Sequence, residues 1–118
     1  MRYALLIYAD QAPWADLSDE EKAQLRAQEM PRWISLMDEL QKADAEVRGY
    51  ELDGAPTAKV VRVRDGERIV TDGPFAETKE VLGGAFVIDV PDLDEAIRRA
   101  SLVPTAWHGS LEIRPIVQ

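Results

Sequence analysis

The chain opens with a short, nearly continuous apolar run at residues 3–8 that is rich in strand-forming side chains. Such a run is typical of a strand that is covered on both faces or central in its sheet. A loop with Pro13 and Trp14 follows. Ser18 and Glu21 then have the spacing of a capping box, in which each residue satisfies a free backbone N–H of the first helical turn. We therefore expect a helix to begin after Ser18.

This helix carries an apolar stripe with the spacing i, i+3, i+4 and i+7, formed by Trp33, Leu36, Met37 and Leu40. The spacing places all four side chains on one helical face. Pro31 has no backbone N–H to donate, so the pattern predicts that the helix is split or kinked near Glu29 and Met30.

Two strands around Asp65-Gly66 form the clearest hairpin pattern in the chain. Residues 60–64 and 67–71 flank this dipeptide, which suits a type I′ turn and the twist of paired strands. Residues 46–52 are also expected to form a strand. The glycine pair at 83–84 precedes a further strand at residues 85–90.

The last part of the chain predicts one more helix and one more strand. Asp92 and Glu95 have capping-box spacing, and the helix is expected to end before Pro104. Residues 110–114 alternate polar and apolar, as a half-buried strand does. The expected buried stripe of the helix is formed by Leu93, Ala96, Ile97 and Ala100.

The order of elements predicts an α+β fold, a ferredoxin-like β-α-β-β-α-β plan with an inserted β-hairpin, in a single domain over residues 1–118. Two helices cover only one face of such a sheet. An apolar face must be buried somewhere, against a ligand or a second copy of the chain. We therefore expect a homodimer that closes sheet against sheet.

The 118 residues include no cysteine and carry a net charge of −8, with 46% hydrophobic and 31% charged residues. This balance is that of a folded domain. The missing cysteines exclude disulfides, thiolate metal sites and a thiol nucleophile. The acidic charge disfavours nucleic-acid binding. The apolar run near the start is too short for a membrane span, so the protein is expected to be cytoplasmic, with no membrane partner.

The densest polar segment is residues 72–80, which contains Asp72, Glu77, Lys79 and Glu80. Gly73-Pro74 stiffens it and Phe75 is an apolar anchor. One interpretation makes Asp72 or Glu77 a general acid or base, or a ligand for a cation or amine. The alternative is a solvated turn in which Asp72 accepts backbone N–H groups.

His108 is the only histidine, and histidine is the usual proton shuttle near neutral pH. The alternative is an ordinary surface position before a strand. Phosphate-loop and serine-hydrolase motifs are missing, and no metal or cofactor is predicted. Aromatic side chains could line a cleft or belong to the core; they are Tyr3, Tyr8, Trp33, Phe75, Phe86 and Trp107.

Residues 70–80, followed by Gly83-Gly84, resemble the signature of the YCII-related family, in particular the subgroup named for its Asp-Gly-Pro-Phe motif. Similar segments lie at residues 5–8, 61–66, 89–96 and 112–116. The resemblance implies a ferredoxin-like dimeric α/β barrel. It also implies a genomic association of relatives with extracytoplasmic-function sigma factors.

Other branches of that family carry a His-Asp pair in the cleft. Residues 28–42 contain no histidine, so this pair cannot be transferred. The residues that match the motif of the family are Asp72, Gly73, Pro74 and Phe75. If a histidine acts in this protein, it is His108, at a different position from the histidine of those branches.

Together these patterns predict a homodimer that binds or transforms a small organic molecule in a cleft beside residues 72–75. Asp72 and His108 are the candidate acid–base residues. The candidate ligand contacts are Tyr8, Phe75, Glu77 and Lys79. The alternatives are a regulatory protein that binds a sigma-factor system without touching DNA, and a loop that only stabilises the dimer.

Overall fold

The computed structural model describes residues 1–44 and 46–117, which form a mixed fold of antiparallel strands and helices. The strands are β1 (Arg2–Ala9), β2 (Arg48–Glu51), β3 (Lys59–Arg64), β4 (Glu67–Asp72), β5 (Val81–Asp89) and β6 (Ser110–Pro115). The helices are α1 (Ala12–Ala15), α2 (Asp19–Ala43) and α3 (Leu93–Ala100), and Ala55–Thr57 and Pro104–Trp107 form short 3₁₀ turns. None of these helices is long and apolar enough to cross a membrane.

The main sheet has the strand order β2-β5-β1-β6, with every neighbouring pair antiparallel. Alternate side chains of β1 and β5 point to one face and meet the two longer helices there, as the two-residue period of a strand requires. This face forms the core, whose buried members include Leu5 and Ile88 from the strands, Leu36 and Leu40 from α2 and Ala96 from α3.

The opposite face of the main sheet, which we call the open face, stays outside the buried core. On β1 it carries Leu6 and Tyr8, whose register partners on β5 are Ala85 and Leu82. Leu82 is exposed, and the other three are half-buried. The middle of the open face is therefore apolar and partly accessible to water, while the edge strands add charged residues such as Glu112 and Arg48.

Strands β3 and β4 form a separate two-stranded sheet, residues 59–72, which we call the arm. Asp65 and Gly66 have φ values of 51° and 78°, the backbone that a type I′ turn needs. The predicted hairpin is thus confirmed. All six residues of β4 are exposed, so the arm projects from the body of the protein.

Ser18 caps α2, because its side chain accepts a hydrogen bond from the Glu21 N–H (3.1 Å) and the Glu21 carboxylate accepts one from the Ser18 N–H (3.1 Å). This helix start confirms the prediction. Of the split or kink predicted near Glu29 and Met30, the split is wrong, since α2 continues from Asp19 to Ala43 with Pro31 inside it. Packing of Leu36 and Leu40 in the core holds the part of the helix that follows the proline.

Two further expectations need correction. The segment around Pro13 and Trp14 forms the short helix α1 rather than a loop. In α3, Ala96 and Ala100 are buried, but Leu93 and Ile97 are about half exposed and do not belong to the core. The buried residues of α3 are thus the small Ala96 and Ala100, together with Arg99.

Candidate functional site

The carboxyl end of β1 and the starts of β5 and β6 meet at one end of the main sheet. Tyr8 lies opposite Leu82 on β5 and opposite Ser110 on β6. The Ser110 hydroxyl donates a hydrogen bond to a Glu80 carboxylate oxygen (2.9 Å). Glu80 is therefore tied to the strand that pairs with Tyr8, and the two polar side chains belong to the same end of the sheet.

His108 is placed at this end by the 3₁₀ turn Pro104–Trp107 that precedes it. The backbone N–H groups of His108 and Gly109 both donate to the Thr105 carbonyl oxygen, at 3.2 and 2.7 Å. Gly109 lies so close to β1 that a Cβ atom there would be 2.3 Å from the Tyr8 carbonyl oxygen. His108 thus lies between this turn and the start of β6, where Ser110 pairs with Tyr8. Its imidazole is exposed.

Two hydrogen bonds hold the base of the arm, one between the segment that precedes it and the body and one between its two ends. The Gln11 side-chain oxygen accepts from the Ala55 N–H (2.9 Å), just after the end of β1. The Ala58 carbonyl oxygen then accepts from the Gly73 N–H (2.8 Å), just after Asp72. The start of the loop at residues 73–80 is therefore bound to Ala58, in the segment that Gln11 holds through Ala55. The end of the loop is bound to β6 through Glu80 and Ser110.

Of the motif side chains, Asp72 is the last residue of the arm and Phe75 contacts the arm from the loop that follows. The Asp72 carboxylate pairs with the Lys59 ammonium group, and the Asp72 side chain is 82% exposed. Phe75 is 78% exposed, and the guanidinium carbon of Arg62 lies 5.6 Å from the centre of its ring, within cation–π range. Both side chains are accessible to a ligand or to another protein molecule.

The structure thus brings Tyr8 and His108 to one end of the sheet and places Asp72 and Phe75 at the arm. Glu77 and Lys79 are exposed on the loop between these two places. Within residues 1–44 and 46–117, neither of their side chains makes a hydrogen bond or ion pair. Tyr8 and His108 thus lie at the end of β1, whereas Asp72 and Phe75 are held against β3, and none of the six residues lines either of the two surface cavities described below.

Gln11 and the role of Glu80 were missed by sequence reasoning. Glu80 was counted among the polar residues of its loop, but its partner Ser110 is 30 residues away. Gln11 reaches a residue 44 positions away. Neither contact leaves a local pattern in the sequence, because both are set by the pairing of distant strands.

Two open surface cavities lie against the helices. One, of about 480 Å³, is lined by residues of α3 and the segment before it, including Glu95, Arg98 and Arg99. Hydrogen bonds from Arg98 and then Arg99 lower the pKa of Glu95 to about 2. The other, of about 360 Å³, is an apolar groove on α2 lined by Met30, Trp33, Ile34, Met37, Asp38 and Gln41.

The carboxylates and the single imidazole are spread over the molecule. In the part of the chain that the structure describes, no three of these side chains lie together in the manner of a metal site. At the end of β1, the phenol of Tyr8, the imidazole of His108 and the carboxylate of Glu80 can bind polar groups and exchange protons.

A family model for the YCII-related domain matches residues 1–118 of the chain. The chain is also 37% identical, over 120 residues, to a protein of Rhizobium meliloti (strain 1021) whose name says only that it is uncharacterized. That alignment covers 98% of this chain and 92% of the relative. The chain therefore belongs to the YCII-related family, as the resemblance of residues 70–80 suggested.

Proposed function

We propose that this YCII-related protein is a homodimer that binds a small organic molecule beside the Asp72-Gly73-Pro74-Phe75 motif. The observation that carries the proposal is the meeting of Tyr8, Glu80 and the His108 turn at the end of β1, next to the anchored start of the motif loop. The motif itself supports membership in the subgroup named for it.

The homodimer is supported by the open face. The strand order β2-β5-β1-β6 is that of a ferredoxin-like sheet, which agrees with a dimeric α/β barrel in which two open faces meet. Half-buried apolar side chains such as Leu6 and Val87 gain from this burial, because apolar area removed from water contributes roughly 25 cal/mol per Å². The cleft then lies at the end of the paired sheets.

Within this cleft the proposal gives each residue a role. Phe75 and Tyr8 contact the apolar and aromatic parts of the ligand. Lys79 and Glu77 bind its charged groups. Asp72 and His108 exchange protons with it, because a carboxylate and an imidazole can act as base and acid at neutral pH. Binding is the first step of this function, and acid–base conversion of the ligand is the second.

The proposal is tested by ligand-induced shifts in melting temperature, using a panel of small carboxylic acids, phenols and amines. A ligand at about 100 times its Kd stabilises a one-site protein by about 2.7 kcal/mol, which corresponds to a shift of several degrees. We expect such a shift for the wild type and a smaller one for Asp72→Asn.

Asp65→Asn is the matched control, since it makes the same change at an exposed position of the arm turn. It should retain the full shift, because asparagine also accepts the positive φ of this position. Equal shifts in the wild type and Asp72→Asn with every ligand found would remove Asp72 from the site.

A second candidate function is a regulatory protein that binds a component of an extracytoplasmic-function sigma-factor system. The apolar groove on α2 favours it, because Met30 and Ile34 are exposed there and exposed apolar helix surfaces commonly bind other proteins. Affinity purification from the native host should then recover a sigma factor or RNA polymerase, and an Ile34→Glu variant should not. Recovery of neither by the wild type would argue against this function.

A further inference from the structure

One face of the arm is apolar and exposed. The register of β3 and β4 places Val61 opposite Val70 and Val63 opposite Arg68, so these four side chains share a face. The three valines are 60%, 54% and 62% exposed, in the order Val61, Val70, Val63. A cluster of three accessible β-branched side chains on a projecting hairpin is a surface suited to contact with another protein molecule.

The shape of the molecule prevents the arm from covering its own open face. The chain measures 46 × 43 × 21 Å. A sheet with one layer of helices is itself about 20 Å thick, so the arm extends sideways in the plane of this layer. The radius of gyration of 16.3 Å, compared with about 13.5 Å for a compact domain of this length, agrees with a projecting arm.

The charge of the arm differs from that of the body. Residues 59–72 carry four basic and three acidic side chains, a net charge of +1, so the rest of the chain carries −9 of the total of −8. At the end of β1, the body presents the carboxylates of Asp10 and Glu80. Arg68 and the arm valines therefore match, in charge and polarity, the end of the open face.

We propose that the arm of one protomer lies across the open face of a second copy at the end of β1. Val61, Val63 and Val70 contact the apolar side chains around Leu82 there, and Arg68 faces the carboxylate of Glu80. This inference rests on the homodimer proposed above. It makes each ligand site composite, because the arm of one molecule closes the cleft that contains Tyr8 and His108 of the other.

The absence of cysteine from the chain makes a direct test simple. Val63→Cys and Leu82→Cys are made in separate chains, which are mixed and treated with a short bismaleimide. Both positions are exposed, so both variants should fold. We expect a cross-linked heterodimer with twice the 13.2 kDa mass of the chain.

The matched control pairs Val63→Cys with Ile97→Cys, an exposed apolar position on α3 and thus on the helical side of the sheet. It should give at least fivefold less cross-linked product. Equal yields from the two pairs would overturn the inference. It would also be overturned if a chain carrying both Val63→Cys and Leu82→Cys formed cross-links only within one molecule.

A second measurement uses the dimer dissociation constant. Arg68→Glu should raise it at least tenfold, whereas Arg32→Glu, the same charge change on an exposed position of α2, should change it less than twofold. Equal effects would contradict the docking of the arm. Since neither measurement needs a ligand, arm docking can stand even if Asp72→Asn leaves ligand binding unchanged, and it can fail while ligand binding is retained.

Discussion

Gly109 is the residue on which the alignment at the end of β1 depends most directly. A Cβ atom at this position would lie 2.3 Å from the Tyr8 carbonyl oxygen and 3.0 Å from Cγ2 of Thr105. The first neighbour is backbone near the end of β1, where Tyr8 is paired with both β5 and β6, and it cannot move aside without disturbing that register. Glycine is therefore required here for close approach of two chain segments.

We expect Gly109→Ala to destabilise the protein by about 1–3 kcal/mol, the range for an added methyl group that forces backbone movement. Urea denaturation followed by tryptophan fluorescence measures this change. The matched control is Gly83→Ala, where the added atom would lie no closer than 3.6 Å to a neighbour, the end of the Gln11 side chain. Destabilisation of Gly83→Ala by as much as Gly109→Ala would show that close approach to Tyr8 is not the cause.

Single residues also mark how far the sequence could predict the site. His108 was identifiable as a candidate from residue type, because it is the only histidine of the chain, and Asp72 was identifiable from its place in the polar segment at residues 72–80. Their surroundings were not predictable. Lys59 meets Asp72 through the hairpin register, and Glu80 meets Ser110 across 30 residues.

Helix α3 shows how one carboxylate can organise an element. The Glu95 carboxylate accepts hydrogen bonds from Arg98 (2.9 and 2.8 Å) and from Arg99 (2.9 Å). It does not complete the predicted capping box, in which only the Asp92 side chain takes part by accepting the Glu95 N–H. Instead it neutralises the buried Arg99 side chain, which is 6% exposed.

This arrangement predicts a particular dependence of stability on pH. Hydrogen bonds from Arg98 and Arg99 lower the pKa of Glu95 from 4.5 to about 2 in the folded protein. The carboxylate therefore stabilises the fold above pH 4.5, and this stabilisation is lost as the pH falls from about 4.5 towards 2. Glu95→Gln should be less stable than the wild type at pH 7, and the difference should shrink over this interval.

Urea denaturation of both proteins at several pH values measures the effect. Asp94→Asn is the control, because Asp94 occupies the same first helical turn and shares any effect of the helix dipole. A difference between the wild type and Glu95→Gln that is constant from pH 7 to pH 3 would contradict the role given to the two arginines.

The elements that the sequence predicted well are those specified locally. The capping box at Ser18 and the Asp65-Gly66 hairpin each depend on side chains only a few residues apart. Continuity through Pro31 was not predictable, because it is maintained by distant contacts. Leu36 and Leu40 hold one half of α2 in the core, and Arg26 binds Glu51 of β2 (2.8 Å) from the other half.

At the scale of the whole molecule, the single chain is a thin layer with two unlike sides. One side buries its apolar residues under helices, and the other exposes the open face. The antiparallel sheet and its single layer of helices were predicted from patterns in the sequence. The projection of the arm was not, since nothing in its alternating pattern shows whether its own body or another molecule covers it.

The homodimer can be tested by placing a charge on the open face. Val87 lies there between Ala4 of β1 and Arg48 of β2. In an isolated protomer, the carboxylate of Val87→Glu can pair with the neighbouring Arg48 at low cost. In a dimer with its open faces together, the same carboxylate is taken out of water, which strongly opposes association. We expect the wild type to sediment at twice its 13.2 kDa chain mass and Val87→Glu at the mass of one chain.

Ile97→Glu is the control, since Ile97 is about half exposed on the other side of the sheet and the substitution adds the same charge. It should sediment as the wild type does. Circular dichroism of both variants establishes that each is folded. If folded Val87→Glu associates as tightly as Ile97→Glu, the two open faces do not meet, and the partly exposed apolar side chains of β1 and β5 must be covered in another way.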